Sequence, residues 1–186
     1  MRVISGSAKG VRLASVPGKS TRPITDRVKE ALFNILGHDI VGQSILDLFG
    51  GTGAVGIEAL SRGAEHAVLL DINYRAIRVI QENLKLTNLA EYATVLKKDA
   101  FTFIREETHH KFDLIYIAPP QYKGMWLKTM RLLDEYPRLI RDEGLVIIQI
   151  HPKEFVESYA YTNLTPFDQR KYGDTLLVFF EKSREK

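Results

Sequence analysis

SILDLFGGTGAVGIEALSRG, residues 44–63, opens as a short apolar run, breaks into glycines and resumes at helical spacing. Ile45, Leu46, Leu48 and Phe49 suit a strand buried on both faces, whereas Ile57, Glu58, Leu60 and Arg62 suit an amphipathic helix. Between them Gly50, Gly51 and Gly53 let the backbone turn tightly and approach a ligand without Cβ interference. The first amides of the helix point back at whatever sits there. Strand, glycine loop and helix in this order predict a nucleotide-like cofactor loop.

The same alternation continues toward the C-terminus. Residues 66–71 (HAVLLD) read as a second buried strand ending in an acid, and Asn73 caps a helix carried by Ala76, Ile77, Ile80, Leu84 and Leu86. Residues 94–96 read as a third strand, with Asp99 at the next junction before Phe101, Phe103 and Ile104. Residues 112–117 (FDLIYI) form a fourth that Pro119 and Pro120 end firmly. Helical pattern returns at Trp126, Met130 and Leu133 and again near Leu139, then residues 144–150 (GLVIIQI) supply a fifth strand. A short helix is predicted over 154–159, and residues 167–172 and 175–181 form an antiparallel pair around Gly173.

Toward the N-terminus, residues 2–4 and 11–16 are β-prone and joined by SGSAKG, which predicts a hairpin. Thr25 or Asp26 caps a helix reaching about His38, with Val28, Ala31, Leu32, Ile35 and Leu36 as its apolar stripe. The expected fold is α/β: a seven-stranded, mostly parallel sheet with an antiparallel C-terminal strand, helices on both faces and an N-terminal β-hairpin. Residues 1–186 are expected to form one domain, with residues 1–40 as a basic hairpin-and-helix extension.

A chain of 186 residues, 45% hydrophobic, is long enough to bury one sizeable core. Its formal charge of +3 is mild, but Arg2, Lys9, Arg12, Lys19, Arg22, Arg27 and Lys29 crowd the first thirty residues against only Asp26 and Glu30. That cluster reads either as a solvated extension or as an arm that grips phosphates. With no cysteine there are no disulfides or thiolate metal ligands, so a reducing, cytoplasmic compartment is the natural expectation. No apolar run approaches the ~20 residues that span a bilayer, and MRVISGSAKGVRL lacks the apolar stretch of a signal peptide. His109 and His110 have no partner at metal-ligand spacing, and no metal is expected.

Gly51, Gly53 and Gly56 match G-x-G-x-x-G, with Asp71 twenty residues past the first, which admits a nicotinamide-binding unit. Three features weigh against it: Asp47 inside the first strand, Asp99 after the third, and the Pro-Pro turn after the fourth. In an open parallel sheet ligands bind outside the strands' carboxyl ends, where Asp47, Asp71, Asp99 and residues 118–120 converge.

With those acids in order, the sequence resembles class I S-adenosylmethionine-dependent methyltransferases, DLFGGTG looking like their first motif. The resemblance implies that Gly50, Gly51 and Gly53 approach the methionine part of S-adenosylmethionine, with Asp47 orienting the loop or reaching the ammonium. It implies that Asp71 accepts from the ribose hydroxyls and Asp99 from the adenine amine, with Phe49, Ile72 and Ala100 beside them. RVISGSAKG from Arg2, TRPITDRVKEALFN from Thr21 and DLFGGTGAVGIEALSRG from Asp47 narrow the match to the RsmD family, bacterial enzymes that methylate guanine N2 in small-subunit ribosomal RNA. This likeness implies an RNA face from Arg2, Lys9, Arg12, Arg22, Arg27 and Lys29, with ribosomal RNA or the small subunit as partner and a monomer as the acting form. For Arg22, Asp26 and Asn34, RNA contact and internal bracing both stay open.

The family ends its fourth strand in Asp-Pro-Pro-aromatic, where the acid and the next carbonyl accept the two hydrogens of the target amine and the aromatic stacks the extruded base. Here the catalytic positions are Ala118, Pro119 and Pro120, followed by Gln121, with Tyr122 one place late. Losing one such acceptor costs about 3 kcal/mol, or roughly a hundredfold in rate. Asp113, five residues earlier, faces the other side of the strand and is a poor substitute. A second reading is therefore an assembly factor that binds cofactor and RNA with impaired chemistry.

Overall fold

The computed structural model describes residues 1–18, 23–157 and 160–183. Among these residues seven strands form one sheet: β1 (Ser44–Asp47), β2 (His66–Asp71), β3 (Ala93–Lys97), β4 (Phe112–Ile117), β5 (Ile140–Ile150), β6 (Leu164–Tyr172) and β7 (Thr175–Lys182). Among the described residues five α-helices accompany them: α1 (Asp26–Leu36), α2 (Ala54–Ser61), α3 (Tyr74–Leu86), α4 (Ala100–Glu106) and α5 (Met125–Glu135). The strand order is β3-β2-β1-β4-β5-β7-β6. β1 to β5 run parallel, whereas β7 is antiparallel to both β5 and β6. The antiparallel strand thus lies inside the sheet, and β6 forms the edge.

Strand alternation divides the core in two. Ile45, Leu69 and Leu114 join residues of α1, α2 and α3 on one face, while Leu46, Leu70 and Ile115 join α4 and α5 on the other. Helices on both sides explain why Ile45, Leu46 and Asp47 in β1 are all buried. Polar caps fix the helix starts: Thr25 Oγ1 accepts from Val28 N at 3.3 Å, and Asn73 Oδ1 accepts from Arg75 N at 2.9 Å. Among the described residues no helix is long and apolar enough to cross a membrane.

Several local expectations change. Ile35 is exposed and Phe33 buried, and α1 stops at Leu36, where Gly37 turns the chain into a 3₁₀ segment. The segment near Leu139 is also 3₁₀ (Pro137–Leu139), and β5 begins at Ile140 with a register irregularity. Of the helix expected over 154–159 there is a 3₁₀ turn at Pro152–Glu154, and Ser158 and Tyr159 lie outside the described residues.

The N-terminal hairpin is the largest correction. Val3 N donates to Val11 O at 2.9 Å and Leu13 N to Met1 O at 3.0 Å, which makes a single antiparallel bridge between Arg2 and Arg12 and no regular strands. The intervening loop spends its backbone amides on α2 instead. Ile4 N and Ser5 N donate to the Glu58 carboxylate at 2.9 and 3.0 Å, Ala8 N to Ser61 Oγ at 2.9 Å, and Ser7 N to Ser61 O at 2.8 Å. Gly6 makes this approach possible, since a Cβ there would lie 1.7 Å from Ser61 O. SGSAKG is a docking loop.

Candidate active site

The chain leaves β1 at Asp47 and is pinned at each turn of the glycine loop. Gly50 N donates to Leu70 O at 2.6 Å, Gly53 N to Gly50 O at 2.7 Å, and Gly51 N to Asp71 Oδ2 at 3.0 Å. A Cβ on Gly50 would meet Ile80 Cδ1 at 2.9 Å and Leu70 O at 3.0 Å, so the loop passes close against β2 and α3. Gly53 caps α2 in the left-handed region with no side-chain bond to the first-turn amides. Those donors are left for a ligand.

Three carboxylates stand at the ends of adjacent strands. Asp71 divides its oxygens between Gly51 N and Asn73 N, the latter at 2.8 Å, so it braces the loop and still offers lone pairs outward. Asp99 caps α4, its Oδ1 accepting from Thr102 N at 2.9 Å and from Thr102 Oγ1 at 3.1 Å. Asp47 is only 2% exposed and accepts from Phe49 N at 3.2 Å. Burial, with the nearby Asp71 charge adding to it, raises its pKa from 3.8 to about 7. Asp47 pairs in register with Leu69 and Asp71 with Lys97, so each acid lies one strand over, about 4.8 Å, and two residues further along than the one before, and the three step diagonally across the strand ends. That diagonal of acceptors suits an elongated ligand with an ammonium, a diol and an exocyclic amine. Beside the row Phe49 is half-buried, Ala100 buried and Ile72 69% exposed.

β1 and β4 are neighbours, and the sheet order reverses between them, which sets their two loops across one crevice. After β4, Ala118 is half-buried on the face of Leu114 and Tyr116, Pro119 is buried, and Pro120 and Tyr122 are exposed. Asp113 lies at the opposite end of the strand, where it accepts from Ser44 N at 2.8 Å and pairs with Arg141. It supplies nothing at position 118.

Arg2, Lys9, Arg12 and Arg27 are all exposed, and the bridge sets Arg2 and Arg12 opposite each other, with Arg2 Nε 3.7 Å from Asp26 Oδ2. Arg22 lies outside the described residues. Lys29 does not belong to this surface. It is fully buried, its ammonium 3.3 Å from Glu58 Oε2 and donating to Arg2 O at 2.6 Å. Asn34 is exposed on α1.

One residue of the site escaped the sequence reading. Asn83 is fully buried on α3 and donates from Nδ2 to Thr52 O at 2.9 Å and to Ala14 O at 3.1 Å, while its Oδ1 accepts from Ala14 N at 2.7 Å. It joins the N-terminal segment to the glycine loop. The available signal was an amide three residues past Ile80, inside the apolar stripe of α3.

The sequence profile of the family described as Conserved hypothetical protein 95 matches residues 1–181. Ribosomal RNA small subunit methyltransferase D of Escherichia coli K12 is 35% identical over 150 residues, covering 80% of this chain and 74% of that protein. The chain belongs to the RsmD family. Another relative, YlbH of Bacillus subtilis 168, named as a candidate rRNA methyltransferase, is 39% identical over 185 residues, 98% of this chain and 99% of that one. Among solved structures, the candidate methyltransferase yhhF of Escherichia coli superposes with a TM-score of 0.85 at 29% identity, covering 98% and 97% of the two chains. Within the RsmD family fold, the buried Lys29 and Glu58 lie beneath the N-terminal arm, and the row of acids lies at the strand ends.

Proposed function

We propose that this chain transfers a methyl group from S-adenosylmethionine to an exocyclic base amine of small-subunit ribosomal RNA, the guanine N2 being the amine concerned. The observation that carries this reading is the pairing across one crevice of a ligand-ready glycine loop, with its row of acids, and a Pro-Pro turn followed by an exposed aromatic ring. S-adenosylmethionine, when bound, supplies a methyl group activated on a sulfonium. The residues fit that group: uncapped α2 amides and close-packed glycines at one end, Asp71 for a diol, and the free oxygen of Asp99 for an amine. Pro119 offers its carbonyl to one hydrogen of the target amine, and Tyr122 offers its ring to the extruded base. Arg2, Lys9, Arg12 and Arg27 offer charge to the RNA backbone, so RNA affinity should fall steeply with salt.

Purified protein, labelled S-adenosylmethionine and small subunits unmethylated at the target should give a labelled guanine. Cofactor binding with no labelled product would replace this reading by the assembly-factor one. Asp71→Ala removes a charge-assisted acceptor from both the loop and the ligand, and should weaken S-adenosylmethionine binding about 10- to 100-fold by calorimetry. Restoring the missing acceptor tests the catalytic turn directly. Ala118→Asp should raise the single-turnover rate, with about a hundredfold as its ceiling. The new carboxylate would lie diagonal to Asp47, whose register partner is Tyr116, and below pH 7 it meets a largely protonated neighbour. An unchanged rate would mean that the site holds the amine without any acid at 118.

A further inference from the structure

Tyr122 has a left-handed backbone, φ +59°, which is uncommon for a bulky aromatic residue and persists only where its surroundings impose it. The imposing contact comes from 32 residues away: Tyr122 N donates to Glu154 Oε1 at 2.7 Å. The other oxygen of Glu154 accepts from His151 N at 3.2 Å, closing a capping box on the 3₁₀ turn after β5. A cap needs only that second oxygen. The first reaches across to the turn after β4.

His151 completes the arrangement. Its Nδ1 accepts from Lys153 N at 3.1 Å, which leaves the ring proton on Nε2, 3.7 Å from Asp174 Oδ1 in the β6–β7 turn. The imidazole is thereby held at Nδ1, only 14% exposed, and its centroid lies 5.6 Å from that of Tyr122 at an interplanar angle of 40°. This is direct-contact range for two rings, so no base fits between them. The outer surface of Tyr122, 64% exposed, remains available. Three turns, after β4, after β5 and between β6 and β7, therefore meet behind one exposed ring.

We infer that Glu154 and His151 are positioning residues that hold Tyr122 as a preformed seat for the extruded target base. Glu154 sets the backbone and His151 backs the ring. The inference rests on the proposed function, in which Tyr122 stacks the base. Both Glu154 oxygens accept backbone amides, from Tyr122 and from His151, which fixes the carboxylate between the two turns.

The test is a double-mutant cycle on the full chain, with labelled S-adenosylmethionine and unmethylated small subunits. Tyr122→Ala should lower kcat/KM for the subunit about 10- to 100-fold, as expected for a lost base–aromatic stack. Glu154→Ala and His151→Ala should each lower it about 5- to 10-fold and leave S-adenosylmethionine affinity within about twofold, since neither reaches the acid row. Glu154→Gln, which keeps an oxygen for Tyr122 N, should lose less than Glu154→Ala. In the Tyr122→Ala background, Glu154→Ala should cost nothing further, because its effect passes through that ring. Equal losses in both backgrounds, or no loss in the parent chain, would overturn the inference while leaving the proposed function standing. No effect of Tyr122→Ala itself would remove the stacking reading, and this inference with it.

Discussion

Glu58→Ala is expected to lower the unfolding free energy at pH 7 by about 3–5 kcal/mol, the range for breaking a buried ion pair by removing one partner. Glu58 is fully buried in α2, yet its two oxygens take Lys29 at 3.3 Å, Arg62 Nε at 2.8 Å, and the amides of Ile4 and Ser5. Truncation leaves the Lys29 ammonium buried with Arg2 O as its remaining acceptor and frees two amides of the N-terminal loop. Burial already holds Lys29 below its ordinary 10.5, with Glu58 as the main opposing influence, so loss of Glu58 drives it lower. When a lysine is lowered in the folded state, the unfolded chain binds more protons between the two values, and stability rises with pH. The deficit of Glu58→Ala should therefore shrink between pH 7 and 9.5 in urea titrations. A deficit independent of pH would show that Lys29 had escaped to solvent. Since the same contacts seat the loop that carries Lys9, RNA affinity should weaken alongside stability.

Asp47→Asn should reverse a different liability. The Asp47 carboxyl is buried at the end of β1 and holds its proton up to about pH 7, against 3.8 for an ordinary aspartate. Between those values the folded protein binds the proton more tightly than the unfolded chain, so Asp47 makes stability fall as pH rises from about 4 to 7. The interval corresponds to at most about 4 kcal/mol. An asparagine keeps an oxygen for Phe49 N and cannot ionise. Urea titrations at pH 4.5 and 7.5 should show Asp47→Asn gaining relative to the parent over that span; parallel profiles would mean that Asp47 is ionised throughout. Gain in stability with loss of cofactor affinity would mark a residue kept for binding at a cost to the fold.

Much of the site was legible because its signals are local. Buried parallel strands announce themselves as apolar runs, and a glycine loop between strand and helix has few other uses. Asp71 and Asp99 could be placed because a strand that ends in an acid before a helix puts that acid at the sheet's carboxyl edge, whatever else surrounds it. The same local reasoning misplaced Lys29: seven basic residues in thirty look like one surface, although α1 turns Lys29 inward onto Glu58. It missed Asn83 and Glu154, whose partners lie 31 and 32 residues away at Thr52 and Tyr122. It also made strands of residues 2–4 and 11–16, where α2 captures the amides that a longer ladder would have used.

By itself the sequence determined the order of strands and helices, the cofactor loop, the row of acids and the absence of an acid at position 118, since periodicity, glycine and proline chemistry act within a few residues. Only the tertiary structure decided which charges are exposed and which are buried, what seats the N-terminal arm and what holds Tyr122. Those depend on segments far apart in the chain meeting in space, where burial makes an unpaired charge or amide too costly to leave without a partner.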